Sequence, residues 1–390
     1  MRDDWEIKCL GEIGDIFSGN SINAKTKEEK YLNVTTGLNY IATKDIAYNT
    51  SINYDNGVKI PYDQTCNFRV AKKGSVLICS EGGSAGRKIG LLNQDVCFVN
   101  KLYAISTNEY VIPSYIFYYY QSIGFKLQFK ERLTGLIGGV SKNKFKQIEI
   151  PIPSTKEQKE IVEILDQAFE SIEKAKANIE KNIENAKELF QSKVNQVFSQ
   201  TGEGWSIKQL NEICENLDRK RIPTTKNKRK PGEVPYYGAS GIVDYVEGYL
   251  FDEDLLLVSE DGANLLARTY PIAFSISGKT WVNNHAHVLR FEDISTQFFI
   301  EYYLNSIKLD DYVSGMAQPK LNQKKLSSIP VPYPELSIQK ELVETLDVMD
   351  NHIQSLLSSY EEELKNLEEL KKSILQKAFS GELTNKNKAA

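Results

Sequence analysis

Seven cationic side chains fall within thirteen residues at Arg219-Lys-Arg-Ile-Pro-Thr-Thr-Lys-Asn-Lys-Arg-Lys-Pro231: Arg219, Lys220, Arg221, Lys226, Lys228, Arg229 and Lys230. Cations at this density can neutralise phosphates, and the interleaved Thr and Asn offer further hydrogen bonds to the same oxygens. Prolines and the lack of a helical period make the stretch a loop, for which a plain solvated surface is the competing reading. Weaker basic groups stand at Lys25 and Lys27, at Arg87 and Lys88, at Lys142, Lys144 and Lys146, and at Lys320, Lys324 and Lys325. The last two groups each sit just ahead of a Pro-x-Pro, and that recurrence favours a shared use over accident.

Other candidate chemistry is thinner. Ser277-Gly-Lys-Thr280 has the tail of a phosphate loop, but Ala273 stands where a glycine is required and Trp281-Val-Asn-Asn284 follows in place of a helix. Gly82, Gly83 and Gly86 form no dinucleotide fingerprint, and both segments are read as tight turns. Of three histidines, His285 and His287 alternate on an apparent strand from Val282 to Phe291 and so share a side. No acidic or cysteine partner is placed nearby to complete a metal site, so none is expected. His352 lies off its helix seam and reads as surface. The five cysteines form no Cys-x-x-Cys pair, which argues against a disulfide framework or structural zinc. No methyltransferase, cofactor-binding, Walker or nuclease motif is present, and catalysis by this chain alone is not expected.

The elements that must position these groups are duplicated. Trp5-Glu-Ile-Lys-Cys-Leu-Gly-Glu-Ile13 returns as Trp205-Ser-Ile-Lys-Gln-Leu-Asn-Glu-Ile213, and Gln158-Lys-Glu-Ile-Val-Glu-Ile-Leu-Asp166 as Gln339-Lys-Glu-Leu-Val-Glu-Thr-Leu-Asp347. Ile-Pro-Ile-Pro153 corresponds to Val-Pro-Tyr-Pro334. Each copy begins with strand-like runs such as Ser75-Val-Leu-Ile-Cys79 and Leu255-Leu-Leu-Val258, bounded by Gly and Asp. The Pro-x-Pro closes that region, and a stretch free of Pro and Gly follows, from about Lys156 to Phe198 and from about Ser337 to Phe379.

Within those stretches apolar residues recur at 3/4 spacing: Leu165, Ala168, Ile172, Ala175, Ile179, Ile183 and Ala186, then Leu346, Met349, Ile353, Leu356, Tyr360, Leu364 and Leu367. The two lists match at one offset of 181 and read as coiled-coil seams. A helix of about 40 residues is on the order of 60 Å long and needs a partner helix. The nearest partner is its own repeat, antiparallel about a pseudo-twofold axis. The expected fold is α+β, two mixed α/β domains separated by two long antiparallel helices.

Charge follows the same division. Residues 154–199 carry 7 Lys and 9 acidic residues and 335–380 carry 5 and 10, a combined −7 within a net −4; the remainder, with 36 basic and 33 acidic residues, is +3. The chain as a whole is therefore no general nucleic-acid coat, while its globular regions can bind nucleic acid. With 41% hydrophobic residues over 390 positions, the chain is long enough for two or three cores. Lacking an apolar run of membrane length or an N-terminal signal, it is expected in the cytoplasm.

Two variable regions, each followed by a long helix introduced by Ile-Pro-x-Pro and Gln-Lys-Glu, resemble the specificity subunit of type I restriction–modification systems. The second half carries the closest match, in Val234-Pro-Tyr-Tyr-Gly-Ala-Ser-Gly-Ile-Val-Asp244, Glu260-Asp-Gly-Ala-Asn264 and Gly278-Lys-Thr-Trp-Val-Asn-Asn-His-Ala-His287. The first region lacks the Tyr-Tyr-Gly-Ala-Ser segment, so its half-site should differ. At the second helix, Ile338-Gln339 replaces the family's Glu-Gln.

The resemblance implies target-recognition domains at 1–153 and 201–334, spacer helices at 154–200 and 335–381, and a flexible tail at 382–390. It implies a non-catalytic subunit in which each domain reads half of an asymmetric split target on double-stranded DNA. The helices would fix the spacer and dock two methylation subunits bringing S-adenosylmethionine; restriction subunits would bring ATP and Mg. No cofactor belongs to this chain. Tyr236, Lys279, Asn283, Asn284 and His285 join the basic residues as candidate DNA contacts, phosphate contacts being favoured over base contacts. The alternatives are a coiled-coil scaffold that never touches DNA and a self-contained DNA-modifying enzyme.

Overall fold

Short runs of aliphatic and β-branched residues, closed by Gly, Asp or Pro, form the strands of both halves. The structure is a computed structural model that describes residues 4–135, 138–200, 204–315 and 318–384. It divides into two units, Met1–Ile179 with Glu362–Ala390, and Glu180–Glu361.

In the first unit the fully buried strand Val76–Cys79 lies inside an antiparallel sheet ordered Gly14–Ser18, Leu102–Thr107, Val76–Cys79, Ile89–Leu91. Side chains alternate across a strand, which explains why both faces of this one are apolar. Leu77 and Cys79 join a core with Ile41, Val96 and Phe98, whereas Val76 and Ile78 join the aromatic core of Tyr115, Tyr120, Phe125 and Phe145. The smaller second sheet runs Lys59–Ile60, Leu38–Ile41, Val96–Phe98, Val70–Ala71, its middle pair parallel.

The second unit repeats this plan. One sheet runs Glu215–Asn216, Ala286–Arg290, Leu255–Ser259, Ala273–Ile276, and the other Gly241–Val246, Pro231–Gly238, Lys279–Val282, Phe251–Asp252. Leu256 and Val258 pack towards Phe299, Ile300 and Leu304 of the helix Ile294–Ser306, while Leu255 and Leu257 face the opposite core with Val282 and Val288.

The Pro-x-Pro segments are not mere punctuation. All of their prolines but Pro153 lie in strands: Glu149–Ile152 pairs with Glu6–Cys9, and Pro330–Pro334 with Trp205–Gln209, each in a two-stranded sheet. Proline lacks an N–H for the ladder and is tolerated on such edge strands. Ser277 and Gly278, the latter at φ +70°, carry the chain between the two sheets of its unit, and Lys279 and Thr280 already belong to the next strand.

Both long stretches are continuous helices, Thr155–Phe198 and Leu336–Ser380, of 44 and 45 residues. In the first unit they run antiparallel: Lys176 pairs with Glu368 at 3.3 Å and Glu173 with Lys371 at 2.9 Å. In the second unit Val194 and Val197 pack on Leu346. The expected seam positions are buried or half-buried with one exception. Leu356 is 40% exposed and Leu357 is turned inward in its place. Taking Leu357 for Leu356 moves the single four-four step from Leu356–Tyr360–Leu364 to Met349–Ile353–Leu357, and threes and fours alternate elsewhere along that face.

Residues 385–390 of the expected tail lie outside the described residues. Ahead of them, Leu383 packs on the first unit's core and the Thr384 hydroxyl donates to Glu157. Among the described residues, no helix is long and apolar enough to cross a membrane.

Candidate nucleic-acid interface

The basic loop of the second unit is built around inward-facing cations. Two short 3-10 turns, Asp218–Lys220 and Lys226–Lys228, punctuate it. Between them the Arg221 guanidinium donates to the Glu260 carboxylate at 2.7 Å and to the Ala286 carbonyl at 2.6 Å. Arg229 donates to the Thr224 carbonyl, pairs with Asp244 at 3.0 Å and lies 4.2 Å over the Tyr236 ring. Tyr236 is 1% exposed, and its hydroxyl accepts from the Thr224 amide; the Trp281 indole N–H donates to the Ile222 carbonyl.

Tyr236, expected at the DNA surface, is instead a buried strut, and Arg221 and Arg229, half-buried, are engaged by groups of the protein itself. A loop without a ladder must find partners for its own backbone groups, and these side chains help to supply them. Arg219, Lys220, Lys226, Lys228 and Lys230 remain exposed.

A second correction concerns Asn283 to His287. Asn283 is buried, and its Oδ1 accepts from the His285 amide at 2.7 Å. It therefore shapes the turn that leaves Asn284 and His285 exposed. The strand begins only at Ala286, so the two histidines do not share an environment: the His285 side chain is 50% exposed beside Asp261, whereas that of His287 is 1% exposed. Gly262, at φ +115°, allows the turn that presents Glu260 and Asp261, a conformation an L side chain rarely adopts.

His287 also has the acidic neighbours that sequence spacing did not reveal. Its Nδ1 is 2.6 Å from Asp218 and 3.9 Å from Glu260, and its Nε2 donates to the Leu321 carbonyl at 2.7 Å. Burial works to raise the Asp218 carboxyl, but hydrogen bonds from His287 and the Val288 amide, with Arg221 nearby, hold it below its ordinary value. Glu260 is likewise lowered against burial, by Arg221 and Lys320. One ligand atom each from Asp218, Glu260 and His287 lies within 4.8 Å of the others. Arg221 and Lys320 already occupy the Glu260 carboxylate, so these donors fit an ion-pair network better than a metal centre.

The remaining candidates are dispersed. Lys320 is exposed and paired with Glu260 at 3.1 Å. Lys324 and Lys325 ride on the helix Gln323–Ser327, N-capped by Asn322, and Lys325 donates to the Asp311 carbonyl. Lys279 opens the strand whose other end adjoins Asn283, and it lies 5.0 Å over the Tyr249 ring. In the first unit Lys142, Lys144 and Lys146 occupy the matching short helix Lys142–Lys146, capped by Ser141. Arg87 and Lys88 both approach the exposed Tyr48 ring, and Lys88 also donates to the Thr43 carbonyl. Lys25 and Lys27 lie on the helix Ala24–Lys30, with Lys25 facing Glu29. Exposed Ile242, Val243 and Tyr245, on the hairpin beside the basic loop, were not singled out by sequence reasoning. A β-bulge between Tyr236 and Tyr237 underlies this: it breaks the alternation that sequence patterning relies on.

Comparison with known proteins agrees with this architecture. The family model described as the type I restriction modification DNA specificity domain matches residues 2–185 and again 202–366. The chain is 21% identical to the type I restriction enzyme MjaIX specificity subunit of Methanocaldococcus jannaschii, over 97% of this chain and 94% of that one. It is 37% identical to a putative type I restriction enzyme specificity subunit of Haemophilus influenzae, over 36% of each. In fold it resembles a chain solved in work on complex assembly and conformational transition of the type I R-M system, with TM-score 0.80, 18% identity and coverage of 98% and 99%. It also resembles the HsdS subunit of Thermoanaerobacter tengcongensis, with TM-score 0.63, 19% identity and 98% of both chains covered.

Proposed function

The chain belongs to the family of type I restriction modification DNA specificity domains, of which it carries two copies, and from that membership we propose how it divides its work. It is the DNA-recognition subunit of a type I restriction–modification system. The recognition domains, 1–153 and 201–334, each read one half of an asymmetric bipartite target on double-stranded DNA. The helices at 154–200 and 335–381 fix the unread spacer and dock two methylation subunits. Chemistry rests with the partners: methylation subunits bring S-adenosylmethionine, and restriction subunits bring ATP and Mg. The subunit itself acts by positioning.

The observation that carries this reading is the pairing of a duplicated α/β domain with helices of 44 and 45 residues. At about 1.5 Å per residue, such a helix is about 66 Å long. Two readers joined by a stiff connection enforce a half-site separation and gain affinity through effective concentration. In the second domain the exposed set offered to DNA is Arg219, Lys220, Lys226, Lys228, Lys230 and Lys320, with Asn284 and His285 beside them. The scaffold alternative has no use for this exposed basic set.

The test is a map of methylated adenines in cells carrying this gene with its partner genes. Two unlike half-sites at a fixed separation are expected. A single contiguous target, or no target attributable to this subunit, would overturn the reading.

A further inference from the structure

The buried charges of the second unit tie together the segments that bear its exposed candidate contacts. His287 stands on Ala286–Arg290 opposite Val258, inside the sheet. The Leu321 carbonyl can only accept, so Nε2 carries a proton. On the other side of the ring Nδ1 faces Asp218 at 2.6 Å, with Glu260 at 3.9 Å. Both ring nitrogens are thus engaged, one by the Leu321 carbonyl and one by the Asp218 carboxylate.

Each group that faces the ring begins or anchors a segment of the candidate interface. Asp218 precedes Arg219 and Lys220, and its other oxygen accepts from the Val288 amide at 2.9 Å. Arg221 joins that loop to Glu260 and to the Ala286 carbonyl. The Glu260 amide donates to the His285 carbonyl, its carbonyl accepts from the Leu321 amide, and its carboxylate holds Lys320. Asp261, one residue on, holds the His285 ring. Three segments, carrying Arg219 and Lys220, Asn284 and His285, and Lys320, thus meet at one buried ion-pair network.

The first unit fills the matching place with neutral groups. Tyr103 lies opposite Ile78 as His287 lies opposite Val258, its hydroxyl donates to the Val140 carbonyl at 2.9 Å as Nε2 of His287 does to Leu321, and Ser80 stands where the second unit has Glu260. The fold does not need a charge there.

We propose that His287, as a buried imidazole bridging Asp218 and the Leu321 carbonyl, is a positioning residue that holds the three DNA-facing segments of the second recognition domain in register and so sets its half-site discrimination. This rests on the DNA-reading function proposed above. The side chain touches no DNA; it acts through the loops it joins.

The test uses the full chain assembled with its methylation subunits, and duplexes bearing the mapped target or single substitutions in either half. His287→Gln keeps an amide donor for Leu321 and removes the ring that also reaches Asp218. Discrimination at the second domain's half-site is expected to fall about tenfold or more, with first-half discrimination and the salt dependence of binding unchanged. Full discrimination in the variant, or equal loss at both halves, would overturn the proposal. Wild-type complex with no sequence preference at all would instead remove the function on which it rests.

A second variant keeps the proposal testable if the first fails to assemble. Asp218→Asn leaves His287 in place and removes the carboxylate that it bridges, and it should cost the second half-site similar discrimination while leaving the first half untouched. Second-half discrimination as in the wild type would refute the assignment.

Discussion

The Tyr302 hydroxyl donates to the Asp347 carboxylate at 2.6 Å, fastening the helix Ile294–Ser306 to the start of the second long helix. The first unit makes the same bond between Tyr118 and Asp166. The correspondence extends to the rings. Phe198 packs on Phe299 and Tyr303 in the second unit, and Phe379 packs on Tyr115 and Tyr119 in the first. Each unit's aromatic core is thus closed by the C-terminal end of a long helix, and helix and domain hold each other in place.

Tyr302→Phe tests that fastening. Burial and then the Asp347 carboxylate raise the Tyr302 phenol, so it remains protonated and donating across the working pH range. Removing a half-exposed charge-assisted bond should cost about 1 kcal/mol and lower the melting temperature by a few degrees. A variant as stable as the parent would show the bond to be incidental.

Gln158 should matter more. It is fully buried, accepts from the Ile112 amide and donates to the Tyr110 and Pro153 carbonyls. Gln158→Ala would strand three backbone groups, each worth about 1–3 kcal/mol when left unpaired, and denaturant unfolding of the first unit should show a loss of about 3 kcal/mol. Gln339, which accepts from Thr296 and donates to Pro334, should behave alike with a smaller loss. Losses below about 1 kcal/mol at both sites would contradict this account.

The duplicated glutamines, the helices and their seams were legible because regular structure writes its period into the sequence. The basic loop was not legible at the level of single residues. Nothing in Arg219-Lys-Arg221 distinguishes the two cations that face solvent from the one that binds Glu260, since a loop has no period to separate inside from outside. Nor could spacing pair His287 with Asp218, 69 residues away; that contact exists only because Glu215–Asn216 pairs with Ala286–Arg290.

This division of roles predicts opposite outcomes within three adjacent residues. Replacing Arg219 and Lys220 with Ala should weaken DNA binding and reduce the slope of log affinity against log salt by about 0.9 per lost phosphate contact. The melting temperature should hold. Arg221→Ala should leave the slope nearly intact and destabilise the second unit, because Glu260 and Asp218 lose a buried partner. Titrating binding and melting all variants side by side decides the point, and a slope change for Arg221→Ala alone would reverse the assignment.

Acid should find the same network. Asp218 and Glu260 titrate below ordinary carboxylates despite burial. Their stabilisation is present above the ordinary carboxylate range and is lost as the pH falls through the lowered values. Thermal melts between pH 7 and pH 3 should therefore fall more steeply for the parent than for an Asp218→Asn, Glu260→Gln variant. Parallel curves would mean that these carboxylates do not contribute.

The spacer function makes the most demanding prediction. In the first unit the pairs Glu173–Lys371 and Lys176–Glu368 fix an antiparallel register, so lengthening one helix alone would misalign the seam. Inserting one matched heptad in each helix, after Ile179 and beside Leu364, preserves the apolar repeat and adds about 10 Å, close to three base pairs at about 3.4 Å each. Methylation mapping should then return the same two half-sites with a spacer about three base pairs longer. If both half-sites kept their original separation, the helices could not be what measures it.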